Sequence, residues 1–320
     1  MTQISVVIPV FNEEESLPEL THWISRVMNE HGFSYEVILI NDGSTDRSWE
    51  VIQNLSAQNI QLKGLNFTRN FGKSAALDAG FRRALGDVVI TMDADLQDSP
   101  DEIPGLYEMV SGNGLDVVSG WKKERHDPLS KTLPSKFFNG VTRWISGIQL
   151  HDFNCGLKAY RNKVVKNIHI YGEMHRYIPL LAKWNGFGKI GEKVVQHQPR
   201  KSGYSKFGLE RFLNGFLDLI TVSFVHRYKK KPMHFFGLLG TLSFLTGFVI
   251  TAWLIFEKVY GLSKGLKVRE IVDQPLFFLA LVALIIGVQL FVTGFIAELM
   301  TSNQSKEIEY KIDEEVNFDF

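Results

Sequence analysis

Two stretches of the chain, 233–256 and 275–297, contain no Asp, Glu, Lys or Arg at all. Each exceeds the roughly 20 residues a helix needs to cross a bilayer. Together they predict a transmembrane hairpin over 232–300, and the rest of the chain has to be placed around it. A hairpin returns the chain to the side it left. Arg227, Lys229, Lys230, Lys231, Lys306 and Lys311 flank its ends, against Lys258, Lys264, Lys267 and Arg269 in its loop, a mild cytoplasmic bias for the ends. The opening Met-Thr-Gln-Ile-Ser has no basic n-region that would direct the N-terminal part to export. The expectation is a multi-pass protein of the cytoplasmic (inner) membrane, with its large N-terminal part in the cytoplasm.

The segments beside the hairpin fit that placement. Leu209, Phe212, Leu213, Phe216, Ile220 and Phe224 recur at helical spacing, with Glu210, Arg211, Asn214 and Asp218 on the other face. A core helix would show the same pattern. The basic run His226-Arg227-Tyr228-Lys229-Lys230-Lys231 favours amphipathic helices over 205–231 lying in the membrane interface. Residues 301–320 are acidic and predict a mobile cytoplasmic tail.

The N-terminal 204 residues alternate apolar runs with helical patterns. Strands are expected at Ile4–Val10, Tyr35–Ile40, Gln61–Phe67, Val88–Met92, Leu115–Ser119 and Lys193–Gln198, with a short one ending at Tyr160. Helices fall between most of them, which argues an α/β domain with a mainly parallel sheet covered on both faces. Gly186, Gly188 and Gly191 spell a formal Gly-x-Gly-x-x-Gly, but a helix precedes them and a strand comes after, the reverse of a dinucleotide site. They predict a helix-to-strand turn. Lys+Arg and Asp+Glu balance at 35 each, so bulk charge points to no nucleic-acid partner. A single cysteine, Cys155, excludes an intramolecular disulfide.

The chemistry concentrates at the end of the fourth apolar run, where Val88–Met92 stops at Asp93-Ala94-Asp95-Leu96-Gln97. If the chain stays extended, Asp93, Asp95 and Gln97 point to one side. Two carboxylates and an amide oxygen suit Mg²⁺ or Mn²⁺, hard ions that also bind substrate phosphates. An isolated Asp-x-Asp is more often an acidic turn. This one stands at the carboxyl end of a strand, where open α/β sheets place their ligands. Ser99-Pro100-Asp101-Glu102 then opens a helix.

Four motifs in this order resemble the inverting family-two glycosyltransferases of GT-A (Rossmann-like) fold, and most closely the branch of dolichyl-phosphate mannose synthase and the bacterial polyprenyl-phosphate glycosyltransferases. They are Val7-Ile8-Pro9-Val10-Phe11-Asn12-Glu13, Asn41-Asp42-Gly43-Ser44, Asp93-Ala94-Asp95-Leu96-Gln97 and Arg200-Lys201-Ser202-Gly203-Tyr204-Ser205-Lys206. The resemblance covers about residues 4–210. It implies that Pro9, Phe11, Glu13 and Asp42 hold the donor's nucleoside, with Arg200 and Lys206 on its diphosphate. It implies that Asp93, Asp95 and Gln97 hold Mg²⁺ or Mn²⁺, and that Lys122, Arg125, Ser135, Lys136 and Ser205 surround an acceptor phosphate. Asp152 matches an aspartate position that could serve as a base, but a phosphate acceptor is already largely ionised at neutral pH, so the expectation is that Asp152 positions or orients. His175 and Arg176 match a motif of the branch without a derivable role. Trp121-Lys122 departs from the branch, where an arginine is common nearby; a lysine keeps the charge and loses the bidentate geometry.

The implied reaction moves one sugar from a nucleoside diphosphate, UDP-glucose or GDP-mannose first, onto a polyprenyl phosphate at the cytoplasmic face. The sequence leaves a homo-oligomer open. Three rivals share the fold: a transferase acting on diacylglycerol, a synthase extending a polysaccharide, and an inactive membrane-anchored scaffold. Gly140 stands where a processive synthase carries Gln or Arg ahead of Arg143-Trp144.

Overall fold

Apolar runs become the strands of one sheet. β1 (Ile4–Val10) and β2 (Tyr35–Asn41) are almost wholly buried, as parallel strands covered on both faces must be. Around them lie β3 (Leu62–Phe67), β4 (Val88–Thr91), β5 (Val117–Trp121), β6 (Lys158–Arg161), β7 (Ile190–Val194) and β8 (Ile312–Val316). The order across the sheet is β7-β5-β6-β4-β1-β2-β3-β8. The β2–β1, β1–β4, β2–β3 and β5–β7 ladders are parallel, while β6 runs antiparallel to both β4 and β5. This computed structural model describes residues 2–123, 139–198, 221, 224, 231–302 and 312–317. The chain divides into two units, Met1–Leu219 with Ile308–Phe320 and Ile220–Glu307.

In the first unit, α1 (Leu17–Glu30), α2 (Ser48–Gln58), α3 (Lys73–Arg83), α4 (Ile103–Ser111), α5 (Asn162–Asn167) and α6 (Ile178–Trp184) connect or cover the strands. α3 is the most deeply seated, with Ser74 to Phe81 all buried. Its small residues let it lie directly on β1, where Gly80 abuts Val7. β1 leads through α1 to β2 on one side and is flanked by β4 on the other. That reversal of direction opens a crevice at the strands' carboxyl ends.

Two elements differ from expectation. The last predicted strand begins earlier, at Ile190, so Gly191 lies within β7 instead of in the turn before it. Gly191 packs so closely on Leu115 that a Cβ would lie 2.6 Å from Leu115 Cδ1. Of the three glycines only Gly186 has a left-handed φ, 91°. Part of the tail expected to be mobile is a strand instead: 312–316 pair antiparallel with β3 as an eighth strand. Glu314 accepts from Trp49 Nε1 at 2.9 Å and Gln53 Nε2 at 3.2 Å, and Asn317 Nδ2 donates to the carbonyls of Ser56 and Leu62. An uncovered β3 would present a row of unpaired backbone groups, and the tail meets that need.

The second unit contains α7 (Pro232–Ser263) and α8 (Pro275–Ser302). Both are long and apolar enough to cross a membrane. They meet along a seam of small residues seven apart, Gly240 and Gly247 against Ala280 and Gly287. A Cβ on Gly247 would lie 2.7 Å from Ala280 O, and one on Gly287 2.6 Å from Phe244 N. Backbones this close are how helices associate in lipid, where no hydrophobic force separates lipid contact from protein contact. Ser243 Oγ adds a hydrogen bond to Ala283 O at 2.8 Å.

Candidate active site

At the carboxyl end of β1 the chain turns through Phe11, 37% exposed, and Asn12, whose φ is 57°. This loop is stitched to the loop after β2. Asn12 N–H donates to Ser44 Oγ, Asn12 Oδ1 accepts from Thr45 N, and Glu13 N–H donates to Ser48 Oγ, all at 2.8–2.9 Å. Pro9, Phe11 and Glu13 are thereby gathered beside Asp42. The Asp42 carboxylate is buried and accepts from the backbone N–H of Phe71 at 2.7 Å and of Gly72 at 3.0 Å. Burial raises its pKa, and these two N–H groups oppose the rise. Asp42 thus clamps the end of β2 to the loop that begins α3. Gly43 is required at that junction: its φ is 66°, and a Cβ would overlap the Arg69–Asn70 backbone.

β4 ends at Thr91, before the acids, and Leu96 adopts a left-handed φ of 60°. The extended register therefore stops short of Gln97. The alternation survives in burial all the same. Ala94 and Leu96 are buried at 4% and 5%, while Asp93, Asp95 and Gln97 remain partly exposed. A left-handed leucine costs of the order of 1–2 kcal/mol, and such strain persists only where the surroundings enforce it. Asp95 Oδ1 accepts from Gln97 N at 3.2 Å, and Gln97 O accepts from Gln198 N at 2.9 Å. The acidic turn is so tied to the segment after β7.

Asp93 is the centre of a charged wall that sequence reasoning left unassembled. Lys73, the first residue of α3, pairs with its Oδ1. Burial alone would raise the carboxyl; Lys73, with Lys122 and His175 behind it, overcomes this and holds it at about 2. Gly156 backs the same carboxylate, and a Cβ there would lie 2.5 Å from Oδ2. Thr91 Oγ1 fixes that approach by donating to Gly156 O at 2.8 Å. Lys73, Asp93, Asn154, Lys158, His175 and Arg176 line a narrow cleft. Lys158 is buried and donates to Cys155 O, and burial pulls its pKa down. Burial also drives His175 well below the usual histidine value, with the cations Lys73, Arg176 and Lys158 adding to the effect. Its ring Nδ1 lies 3.1 Å from Ser74 Oγ, which also accepts from His175 N–H at 3.0 Å. This gives the His-Arg motif a place, bracing the start of α3.

Lys122 is not a solvated cation. Its ammonium lies 2.8 Å from Asp98 Oδ1, and the two side chains are 14% and 0% exposed. Asp98 had no signal in the sequence beyond being a third acid after the Asp-x-Asp. Asp152 is also buried; its Oδ1 accepts from Asn154 N at 3.0 Å, and its own N–H donates to Glu192. Cys155 is buried with its thiol pushed up to about 12, chiefly by burial, and is chemically inert there. Arg125, Ser135, Lys136, Arg200, Ser205 and Lys206 lie outside the described residues, as do most of the expected interface helices.

Among the described residues no three His, Cys, Asp or Glu side chains gather around a point. Mg²⁺ and Mn²⁺ need no such cluster, since they take one or two carboxylates and complete their shell with phosphate and water. Asp93, ionised and backed by a glycine, and the partly exposed Asp95 and Gln97 supply such a donor set.

Residues 5–169 match the family described as Glycosyl transferase family 2. The chain is 36% identical over 301 residues to the dodecaprenyl-phosphate galacturonate synthase of Rhizobium johnstonii, covering 93% of this chain and 87% of that one. It is 36% identical over 300 residues to the undecaprenyl-phosphate 4-deoxy-4-formamido-L-arabinose transferase of Pseudomonas aeruginosa, at 93% and 84% coverage. In fold it resembles glucosyl-3-phosphoglycerate synthase from Mycobacterium tuberculosis, solved with Mn²⁺ and UDP-glucose. The TM-score is 0.53 and the identity 20%, over 70% of this chain and 79% of that one. With a GT-A sheet, an acid turn at its carboxyl edge and two membrane-length helices, the chain belongs to glycosyltransferase family 2, as an enzyme of the polyprenyl-phosphate sugar transferase kind.

Proposed function

We propose that the enzyme transfers one sugar, with inversion, from a nucleoside-diphosphate sugar to a polyprenyl phosphate at the cytoplasmic membrane face. The observation that carries this is the ionised Asp93 in a cleft walled by Lys73, Lys158, His175 and Arg176, beside Asp95. Such a wall suits a reaction in which one diphosphate leaves and one phosphate attacks. Pro9, Phe11, Glu13 and Asp42 hold the nucleoside, Asp42 by fixing the loop at Phe71 and Gly72. Mg²⁺ or Mn²⁺ on Asp93, Asp95 and Gln97 would neutralise the departing diphosphate. The relatives named for galacturonate and formamidoarabinose widen the donors to be tried beyond UDP-glucose and GDP-mannose. The test is a panel of UDP- and GDP-sugars, neutral and acidic, given with undecaprenyl phosphate and Mn²⁺ to membranes containing the protein. A lipid-extractable product that mild acid cleaves back to the free sugar is expected. Product on diacylglycerol or polymer, or none, would overturn the proposal.

The chain's connectivity supports the hairpin. It leaves the first unit before α7, and the strand that comes after α8 belongs to that same unit. A two-helix excursion that returns puts catalytic domain and tail on one side, here proposed to be the cytoplasm. Arg125, Ser135, Lys136, Arg200, Ser205 and Lys206 remain proposed contacts of the acceptor phosphate and donor diphosphate.

The acceptor needs no deprotonation by the enzyme. A phosphate monoester has a second pKa of about 6 and is largely the dianion at neutral pH. Asp152, buried and bonded to its own turn, then orients its surroundings instead of taking a proton. Asp152→Asn should keep a measurable rate whose rise between about pH 6 and 8 parallels the parent's, since the acceptor's own ionisation sets it. A parent pH dependence that disappears in Asp152→Asn, with turnover at background, would make Asp152 the base.

A further inference from the structure

The first carboxylate of the acidic turn already carries a cation of the chain's own. Lys73 Nζ covers Asp93 Oδ1, and the two side chains are 34% and 35% exposed. The backbone beneath Lys73 is held from both sides. Asp42 takes the N–H groups of Phe71 and Gly72 just before it, and His175 grips Ser74 just after it. The start of α3 is therefore anchored, and what can move is the four-carbon stem of the lysine. Asp93 itself has no retreat, because Gly156 leaves no space behind its carboxylate. The other cations of the wall are less free. Lys158 is buried on Cys155 O, and Arg176 lies 3.5 Å from Glu173 with its side chain 13% exposed.

We propose that Lys73 is an exchangeable counter-ion: it neutralises Asp93 in the unloaded site and passes to the donor's diphosphate when metal and nucleotide enter together. The inference rests on Asp93 being a metal ligand. Two cations cannot share one carboxylate oxygen without repulsion, so free metal has to expel the ammonium into a wall that is already positive. A nucleoside diphosphate arriving with the metal gives the expelled ammonium an anion within reach of its stem. Metal and nucleotide should then each tighten the other's binding, a coupling that is reciprocal by thermodynamic necessity.

The test uses the full-length protein in detergent, the near-isosteric Lys73→Met, and Mn²⁺ binding read from the electron paramagnetic resonance of the free ion. Without nucleotide, Lys73→Met should bind Mn²⁺ about tenfold or more tightly than the parent, since an opposite charge in contact shifts such equilibria by one to three powers of ten. With Mn²⁺ present, its affinity for UDP or GDP, whichever the parent binds better, should fall by about tenfold as the ammonium–phosphate pair is lost. The sign is the diagnostic, because a merely structural lysine would weaken both. Unchanged or weaker Mn²⁺ binding in Lys73→Met overturns the exchange. Lys73→Gln is read in the same way should the Met variant fail to fold. Asp93→Asn separates the premise from the inference: Mn²⁺ binding equal to the parent's would remove Asp93 as a ligand and the exchange with it. Loss of binding there, with no gain in Lys73→Met, removes only the exchange.

Discussion

Asp95→Ala should abolish sugar transfer while the protein stays folded and membrane-bound. The fold gives up an Asx-turn hydrogen bond from Gln97 N–H to Asp95 Oδ1, a loss of about 1 kcal/mol net. Leu96 and Ala94 remain buried on either side and keep the turn seated. In the proposed reaction the chemistry loses much more, because the leaving diphosphate would develop charge beside this turn and one of the two carboxylates proposed to gather the neutralising cation is gone. Losing one preorganised electrostatic partner in a water-poor site typically costs two to three powers of ten in rate, or about 3–4 kcal/mol. Radiolabelled sugar incorporated into lipid by membranes containing the variant measures the rate. Circular dichroism and gel filtration of the purified variant measure the fold. Turnover near the parent's, or parent turnover that persists after divalent ions are chelated, would remove the metal from the scheme.

How much of this was legible in the sequence depends on where each signal is stored. β1, β2 and β4 are short apolar runs bounded by turn residues, so their existence and near-continuous burial can be read locally. The two long helices are legible for the same reason. The partnerships of the site are not local. Lys73 meets Asp93 across 20 residues, Gly156 meets it across 63, and His175 reaches Ser74 across 101. Nothing in the spacing of one strand predicts which helix start or strand end the topology brings alongside. Asp42 illustrates a second limit. Its place after β2 is legible, but whether its carboxylate faces a ligand or the N–H groups of Phe71 and Gly72 depends on the path of a loop 29 residues later. The tail failed differently: Ile312–Val316 looks solvated because of its acids, and becomes a strand because β3 would otherwise be a bare edge.

Lys122 offers the other large effect, and one that separates two roles for the same residue. As an acceptor-phosphate contact, its loss would raise the KM for polyprenyl phosphate and leave stability alone. As the partner of Asp98, its loss would strand a carboxylate that is 0% exposed. Removing one member of a buried ion pair costs about 3–5 kcal/mol, which lowers Tm by about 6–20 °C in a domain of this size. Lys122→Met should show that fall, and Lys122→Met with Asp98→Leu should recover much of it, since two apolar groups can replace a buried pair. The pH dependence of the single variant carries its own sign. Burial raises the Asp98 pKa, and Asp93 and Asp95 add to the rise, with Lys122 the opposing influence. Without Lys122 the folded-state value rises further above the unfolded one of about 3.9. A carboxyl shifted upward on folding stabilises the folded form below its unfolded pKa, and that contribution is lost as pH rises through the folded pKa. Lys122→Met should therefore regain Tm relative to the parent as pH is lowered from 8 towards 5, while the double variant, lacking the carboxyl, should not. A single variant with the parent's Tm at every pH and a raised acceptor KM would return Lys122 to the acceptor phosphate and leave the Asp98 pair without energetic weight.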